Sequence, residues 1–155
     1  MNLDQHVMGW RLHVLVFAAL LTASTAAAGE RVNKDASNLA IRGYDTVAYF
    51  TDGRSIKGKP EFQYVWQDAR WLFASAEHKT LFADDPVRYA PQFGGFCTGG
   101  VSLGRLSPID PEAWLIVEGR LYLYYDKQGR DESLAELEAD IAAATEKWEA
   151  LRNVP

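Results

Sequence analysis

Leu115-Ile116-Val117-Glu118-Gly119-Arg120-Leu121-Tyr122-Leu123-Tyr124-Tyr125 is the stretch on which the fold of this chain turns. Two runs rich in β-branched and aromatic residues flank a Glu-Gly pair, and glycine supplies the positive φ that a two-residue hairpin turn demands. Downstream, from Asp131 or Ser133, the apolar residues Leu134, Leu137, Ile141, Ala144, Trp148 and Leu151 recur at steps of three and four. That spacing predicts one long amphipathic helix with a single apolar stripe facing inward. A hairpin followed by such a helix reads as an α+β domain: a small antiparallel sheet with short helices and a long C-terminal amphipathic helix packed on it.

Upstream the same signals recur. Phe62–Trp66 and Trp71–Phe73 read as a second antiparallel pair, entered through Lys57-Gly58-Lys59-Pro60. Ser75 stands where an N-cap belongs, with His78 in the first turn behind it. Asp85-Pro86 and Asp110-Pro111 each read as a cap followed by proline at the first helical position, and Pro91 ends the first of these helices. Ile41 and Val47–Phe50 read as strand around Gly43-Tyr44-Asp45, closed by a Thr51-Asp52-Gly53 turn. Residues 29–38 read as a flexible leader and residues 39–151 as the folded domain. No internal repeat and no low-complexity tract is evident.

The beginning of the chain reads as a targeting segment. Arg11 precedes the apolar stretch Val14–Leu21, and small residues follow from Thr22 to Ala28. This is the pattern of a secretory signal peptide spanning residues 1–28, with Ala26 and Ala28 meeting the small-x-small rule and the start at Met1 or Met8. The apolar run falls short of the roughly 20 residues that span a bilayer. The expected location is periplasmic or secreted, with no membrane contact after cleavage. Removing residues 1–28 of the 155 leaves 127 and keeps the formal net charge of −5, since Asp4 and Arg11 leave together. A mildly acidic chain without a basic run lacks the electrostatic footprint of a nucleic-acid binder.

Cleavage also removes Met1, Met8, His6 and His13, so the soft donors that remain are Cys97 and His78. One cysteine excludes an intrachain disulfide, a Cys-x-x-Cys redox pair and a four-cysteine zinc site within one chain.

Leu39-Ala40-Ile41-Arg42-Gly43-Tyr44-Asp45 with Val47-Ala48-Tyr49-Phe50 resembles the opening of the exported, stand-alone YHS-domain proteins. So do Trp71–Glu77, Phe82, Asp85-Pro86, Tyr89–Gln92, Phe93-Gly94-Gly95-Phe96-Cys97, Gly100-Val101, Leu103-Gly104, Asp110-Pro111, Trp114 and Ile116–Leu123, in that order. The likeness runs from about Leu39 to Trp148. It implies a small α+β domain related to TRASH-like metal-binding modules, and a role in handling copper or another soft metal. In the metal-binding relatives cysteines flank the aromatic-rich strand and the helix after it; here Ala48, Ala74 and His78 occupy those places.

Cys97 lies between Gly94-Gly95 and Gly99-Gly100, where the backbone can take unusual angles or let a ligand approach. It reads either as an accessible thiolate or as a small buried hydrophobe. Thiolate and imidazole together suit Cu(I). Zinc would need further donors, from Asp45, Glu77 or a second chain, and Tyr44 and Asp45 are candidates for outer hydrogen bonds. Three functions follow. The preferred one is a non-catalytic periplasmic metal-binding protein with Cys97 and His78 as ligands and copper as the first expectation. The second is an enzyme with Cys97 as nucleophile and His78 as base. The third is a protein-interaction module in which Cys97 is structural. The protein partner is open, and so is a dimer through Cys97.

Overall fold

The computed structural model describes residues 31–153, so the segment read as a signal peptide lies outside the described residues. Both aromatic-rich pairs form hairpins. A short helix, α1 (Ala48–Thr51), precedes the first, in which β1 (Lys59–Trp66) pairs antiparallel with β2 (Ala69–Phe73) through Gln67-Asp68, both at positive φ. Helices α2 (Ala76–Asp84) and α3 (Pro86–Tyr89) follow, then α4 (Thr98–Ser102). The second hairpin pairs β3 (Asp110–Val117) with β4 (Arg120–Tyr124) through Glu118-Gly119, and α5 (Lys127–Ser133) and α6 (Leu137–Leu151) close the chain. The class is α+β, with two two-stranded sheets in place of one.

Side chains set several boundaries differently from the propensities. Val47–Phe50 is not a strand, because Asp45 Oδ1 accepts from the N–H groups of Val47 and Ala48 at 2.9 and 3.3 Å and starts a helix there. Asp110-Pro111 opens β3 and not a helix: Asp110 Oδ1 takes the N–H of Glu112, and proline at the start of an edge strand removes no ladder bond that is needed. The long helix breaks in two. Asp126 caps α5 by accepting from Gly129 N–H at 2.7 Å, and Leu134, assigned to the inward stripe, is exposed between the two pieces. In α6, Ala144 and Trp148 are buried in a cluster with Tyr122, Tyr124 and Ala113 of the second hairpin, while Ile141 and Leu151 pack at its edge. The leader is also tied down. Val32 is buried, and Asn33 donates its N–H to Gly94 O and its Nδ2 to Gly95 O.

The two hairpins are copies of one motif. β1 and β2 recur 51 positions later as β3 and β4 (59 to 110, 69 to 120), with the same lengths and the same irregularity in register, Lys59 and Gln63 answering to Asp110 and Trp114. Ahead of each stands a left-handed turn of three consecutive positive-φ residues, Ile41–Gly43 (48°, 54°, 76°) and Phe93–Gly95 (54°, 59°, 79°). Each turn is closed alike: Gly43 N–H to Ala40 O and Tyr44 N–H to Ile41 O, Gly95 N–H to Gln92 O and Phe96 N–H to Phe93 O. The residue preceding each turn donates to the second strand of its hairpin, Ala40 to Arg70 O and Gln92 to Leu121 O. Asp45 and Cys97 then donate to Ile56 O and Ser107 O. Ser75 and Asp126 cap the helix after each hairpin in the same way. Even the two buried hydroxyls without a partner among the described residues, Thr46 Oγ1 and Thr98 Oγ1, occupy corresponding positions. The chain therefore contains an internal duplication, which the sequence reading missed.

The halves meet through apolar and polar contacts. Phe82 gathers the rings of Phe73, Trp71, Trp66 and Tyr64 at 5.0 to 6.1 Å in the first half. Tyr49 reaches across, its ring edge-on to Trp114 at 5.1 Å and its hydroxyl donating to Pro111 O at 2.7 Å. Burial, with smaller contributions from Tyr44 and nearby carboxylates, pushes the Tyr49 phenol well above its ordinary range. The neutral phenol is thus the form the fold requires, and stability falls once pH exceeds about 10, where the unfolded chain ionises this group and the folded one does not. Tyr49→Phe is expected to lose about 1 kcal/mol at pH 7 with its hydrogen bond. The same variant loses less stability than wild type between about pH 10 and 11, as urea melts at the two pH values will read.

Candidate functional site

The duplication places two corresponding sites under two hairpins, and the sequence has treated them differently. In the first half the site is built on Asp45, which is 0% exposed. Its Oδ1 accepts from Val47 and Ala48 N–H, and its Oδ2 from Ala74 N–H at 2.8 Å. A carboxylate so far from water survives only with such donors. The fourth donor is His78: Ser75 caps the helix that carries it, and its Nδ1 lies 2.7 Å from Asp45 Oδ2. With Asp45 a hydrogen-bond acceptor throughout, Nδ1 carries the proton and Nε2 is turned outward. The His78 side chain is 15% exposed, and Nε2 lies 3.2 Å from Thr51 Oγ1 and 3.5 Å from Asp52 Oδ2, a carboxylate 33% exposed.

In the second half the corresponding places are Cys97 for Asp45, Gly99 and Gly100 for Val47 and Ala48, Tyr125 for Ala74, and Gly129 for His78. Cys97 is buried, 6% exposed, at the start of α4. Beside it lies a cavity of about 300 Å³, lined by Cys97, Gly99, Gly100, Arg105, Tyr124 and Gly129 among others. Burial raises the ionisation of Tyr124 above its ordinary range, while its hydrogen bond with Ser133 lowers it.

Among the described residues no hydrogen bond or ion pair joins Cys97 to His78. None of the partners of His78 lines the cavity of Cys97, and each residue belongs to its own copy of the motif. These contacts build neither a shared Cu(I) ligand pair nor a nucleophile and base from Cys97 and His78. No second sulfur or imidazole lines the Cys97 cavity, so a soft ion there lacks a second soft donor from this chain. Among the described residues no group of three or more His, Cys, Asp and Glu side chains is arranged to hold a metal. Glu77 stands in the first turn of α2, and Tyr44 is engaged by the Lys57 ammonium over its ring at 4.6 Å. Sequence reasoning named Asp45 as a candidate for hydrogen bonding, and Asp45 Oδ2 lies 2.7 Å from His78 Nδ1. It missed Asp52 and Thr51, absorbed into a turn, although Asp45-x₆-Asp52 ahead of a capped histidine is visible in the sequence.

Comparison with family models, with curated proteins and with solved structures gave no match to this chain.

The corresponding sites separate what the fold needs from what it tolerates. Asp45→Ala strands three backbone N–H groups and an imidazole and is expected to cost about 3–5 kcal/mol. His78→Gly copies what the second half already carries and is expected to cost about 1–2 kcal/mol, close to one charge-assisted hydrogen bond. Urea denaturation of both variants measures the difference; equal losses would show that the pair acts as a single structural unit.

Proposed function

We propose that this is an exported, non-catalytic metal-binding protein in which His78 Nε2 and the Asp52 carboxylate hold the ion and Asp45 orients the imidazole. The observation that carries the reading is the duplication itself. The second half builds the same turn, hairpin and capped helix with cysteine and glycine in place of Asp45 and His78, so the motif folds without an imidazole. A buried carboxylate that fixes one ring nitrogen and turns the other outward is the usual outer partner of a metal-ligating histidine.

The donors define the ion. Nitrogen and carboxylate oxygen suit divalent ions of intermediate hardness, and among these Cu²⁺ binds most strongly to a given site of this kind. Two donors 3.5 Å apart are spanned by one ion at bonds of about 2.0–2.1 Å. Two protein donors make a weak, exchangeable site whose remaining positions go to water or to a donor from another molecule. That is the behaviour of a carrier or buffer more than of a structural centre. Copper remains the first expectation, now in its divalent state, and Cys97 is left out of the ligand set. The likeness of residues 39–148 to exported YHS-domain proteins points to the same class of function.

Titration of the protein with Cu²⁺ against a competing chelator tests the reading. One equivalent is expected to bind. His78→Gln abolishes that binding, Asp52→Asn weakens it about tenfold, and Asp45→Asn weakens it by about 10- to 100-fold while the circular dichroism stays native. Cys97→Ala leaves it unchanged. Binding that survives His78→Gln, or disappears with Cys97→Ala, overturns the assignment.

A further inference from the structure

We propose that the cavity where the end of α6 meets the first hairpin and the second left-handed turn binds a neutral, planar heterocycle by its faces and by a lactam edge. It shares no residue with the donors at His78 and Asp52, so it stands apart from the metal reading. The cavity holds about 300 Å³ and its walls are aromatic: Trp66 and Trp71 from the first hairpin, Phe93 from the turn and Trp148 from α6. Three of the four tryptophans among the described residues line it, while the fourth, Trp114, packs on Tyr49. Trp71 belongs to the core of the first half, and Phe93 and Trp148 to that of the second, so the space is a gap between the two cores. Its walls are set before a ligand arrives. Trp71 Nε1 donates to Trp66 O at 3.0 Å, the rings of Phe93 and Trp148 meet edge-on at 6.2 Å, and Gln92 N–H is held on Leu121 O at 2.8 Å. Rings already ordered by packing lose little freedom when a guest stacks on them.

The lining selects the ligand by charge and by hydrogen bonding. Two ionised groups reach the cavity, Glu149 and Arg152, and Arg152 Nε lies 3.5 Å from Glu149 Oε2. Their charges offset, so neither an anion nor a cation finds an uncompensated counter-charge, and an unpaired ion buried among indoles is costly. A neutral ligand is favoured. Gln67 and Gln92 supply the uncharged polar side chains of the lining, and their amides have no hydrogen-bond partner among the described residues. Each amide offers a carbonyl acceptor and N–H donors. The complement of such groups is an edge with donor and acceptor side by side, the N–H and C=O of a cyclic amide. Aromatic faces and a lactam edge occur together in planar heterocycles of the nucleobase and pterin type. A volume at the lower end of the roughly 300–1,000 Å³ usual for small-molecule pockets limits the guest to one or two rings.

Carbostyril, a neutral bicyclic lactam, is the probe, titrated into the protein by calorimetry while the indole N–H resonances are followed by NMR. One equivalent is expected to bind, at least tenfold tighter than quinoline, which has the same two rings and no lactam. The resonances of Trp66, Trp71 and Trp148 shift, and that of Trp114 does not. Gln67→Gly weakens binding about fivefold, close to the loss of one hydrogen bond. Residue 67 stands at positive φ, which glycine adopts freely, so that loss is not one of folding. Trp66→Val, which installs the residue found at the corresponding place 117, weakens binding about tenfold. Benzoate and tetramethylammonium, the charged alternatives, bind at least tenfold more weakly than carbostyril. No binding of carbostyril at millimolar concentration, equal binding of quinoline, tighter binding of either ion, or an unchanged affinity in Gln67→Gly would each overturn the proposal.

Discussion

The structure depends on two left-handed turns that touch each other. Three successive residues at positive φ cost about 1–2 kcal/mol for each that is not glycine, and Ile41, Arg42 and Phe93 all bear that strain. Burial of Ile41 and Phe93 and the paired closing hydrogen bonds of each turn offset it. Glycine is required where the copies meet: a Cβ on Gly95 would overlap the Ile41 side chain, and one on Gly94 would overlap the Arg31 carbonyl. Each turn reverses the chain so that the residue two places beyond it, Asp45 or Cys97, bonds to the strand-side carbonyls of Ile56 or Ser107. The sites are consequences of the turns.

Once delivered there, the side chain at 45 or 97 decides what its half of the molecule can do. Aspartate gathers three N–H groups and an imidazole, which leaves the first site filled and polar. Cysteine at 97, with glycine at 129, leaves a cavity beside the thiol. The same backbone thus presents a fixed imidazole on one side and a buried thiol beside a cavity on the other. Because the hairpins, caps and turns are the same in both, the difference in chemistry arises from two side-chain positions and not from the scaffold.

Much of the fold was legible from local chemistry. The hairpins showed in Glu118-Gly119 and in the aromatic runs, and the caps at Ser75 and Asp85 showed as hydroxyl or carboxylate ahead of helix formers. The duplication did not show, because a motif held by turns and caps constrains few identities. Its traces are Gly43 and Gly95, Gly53 and Gly104, Arg54 and Arg105, and Pro60-Glu61 against Pro111-Glu112, scattered among core residues that differ. Trp71 and Phe73 face their core as Tyr122 and Tyr124 face theirs, with size kept and sequence lost. The relation of Cys97 to His78 was not legible for the same reason: composition showed two soft donors, whereas only topology shows that they belong to different halves of the repeat.

Residue 45 is where fold and site cannot be separated. Val47-Ala48-Tyr49-Phe50 has the β-branched and aromatic content of a strand, and it is helical because the Asp45 carboxylate takes the first free N–H groups of that turn. The same oxygens reach Ala74 at the end of the hairpin and His78 in the helix after it, so one side chain links three elements. At residue 78 the two demands come apart, since the second half caps and folds its helix with glycine in the corresponding place. What glycine need not answer in the second half, where residue 97 is a cysteine, His78 answers in the first: it gives the buried Asp45 carboxylate its fourth hydrogen bond at Nδ1 and keeps Nε2 beside Thr51 and Asp52.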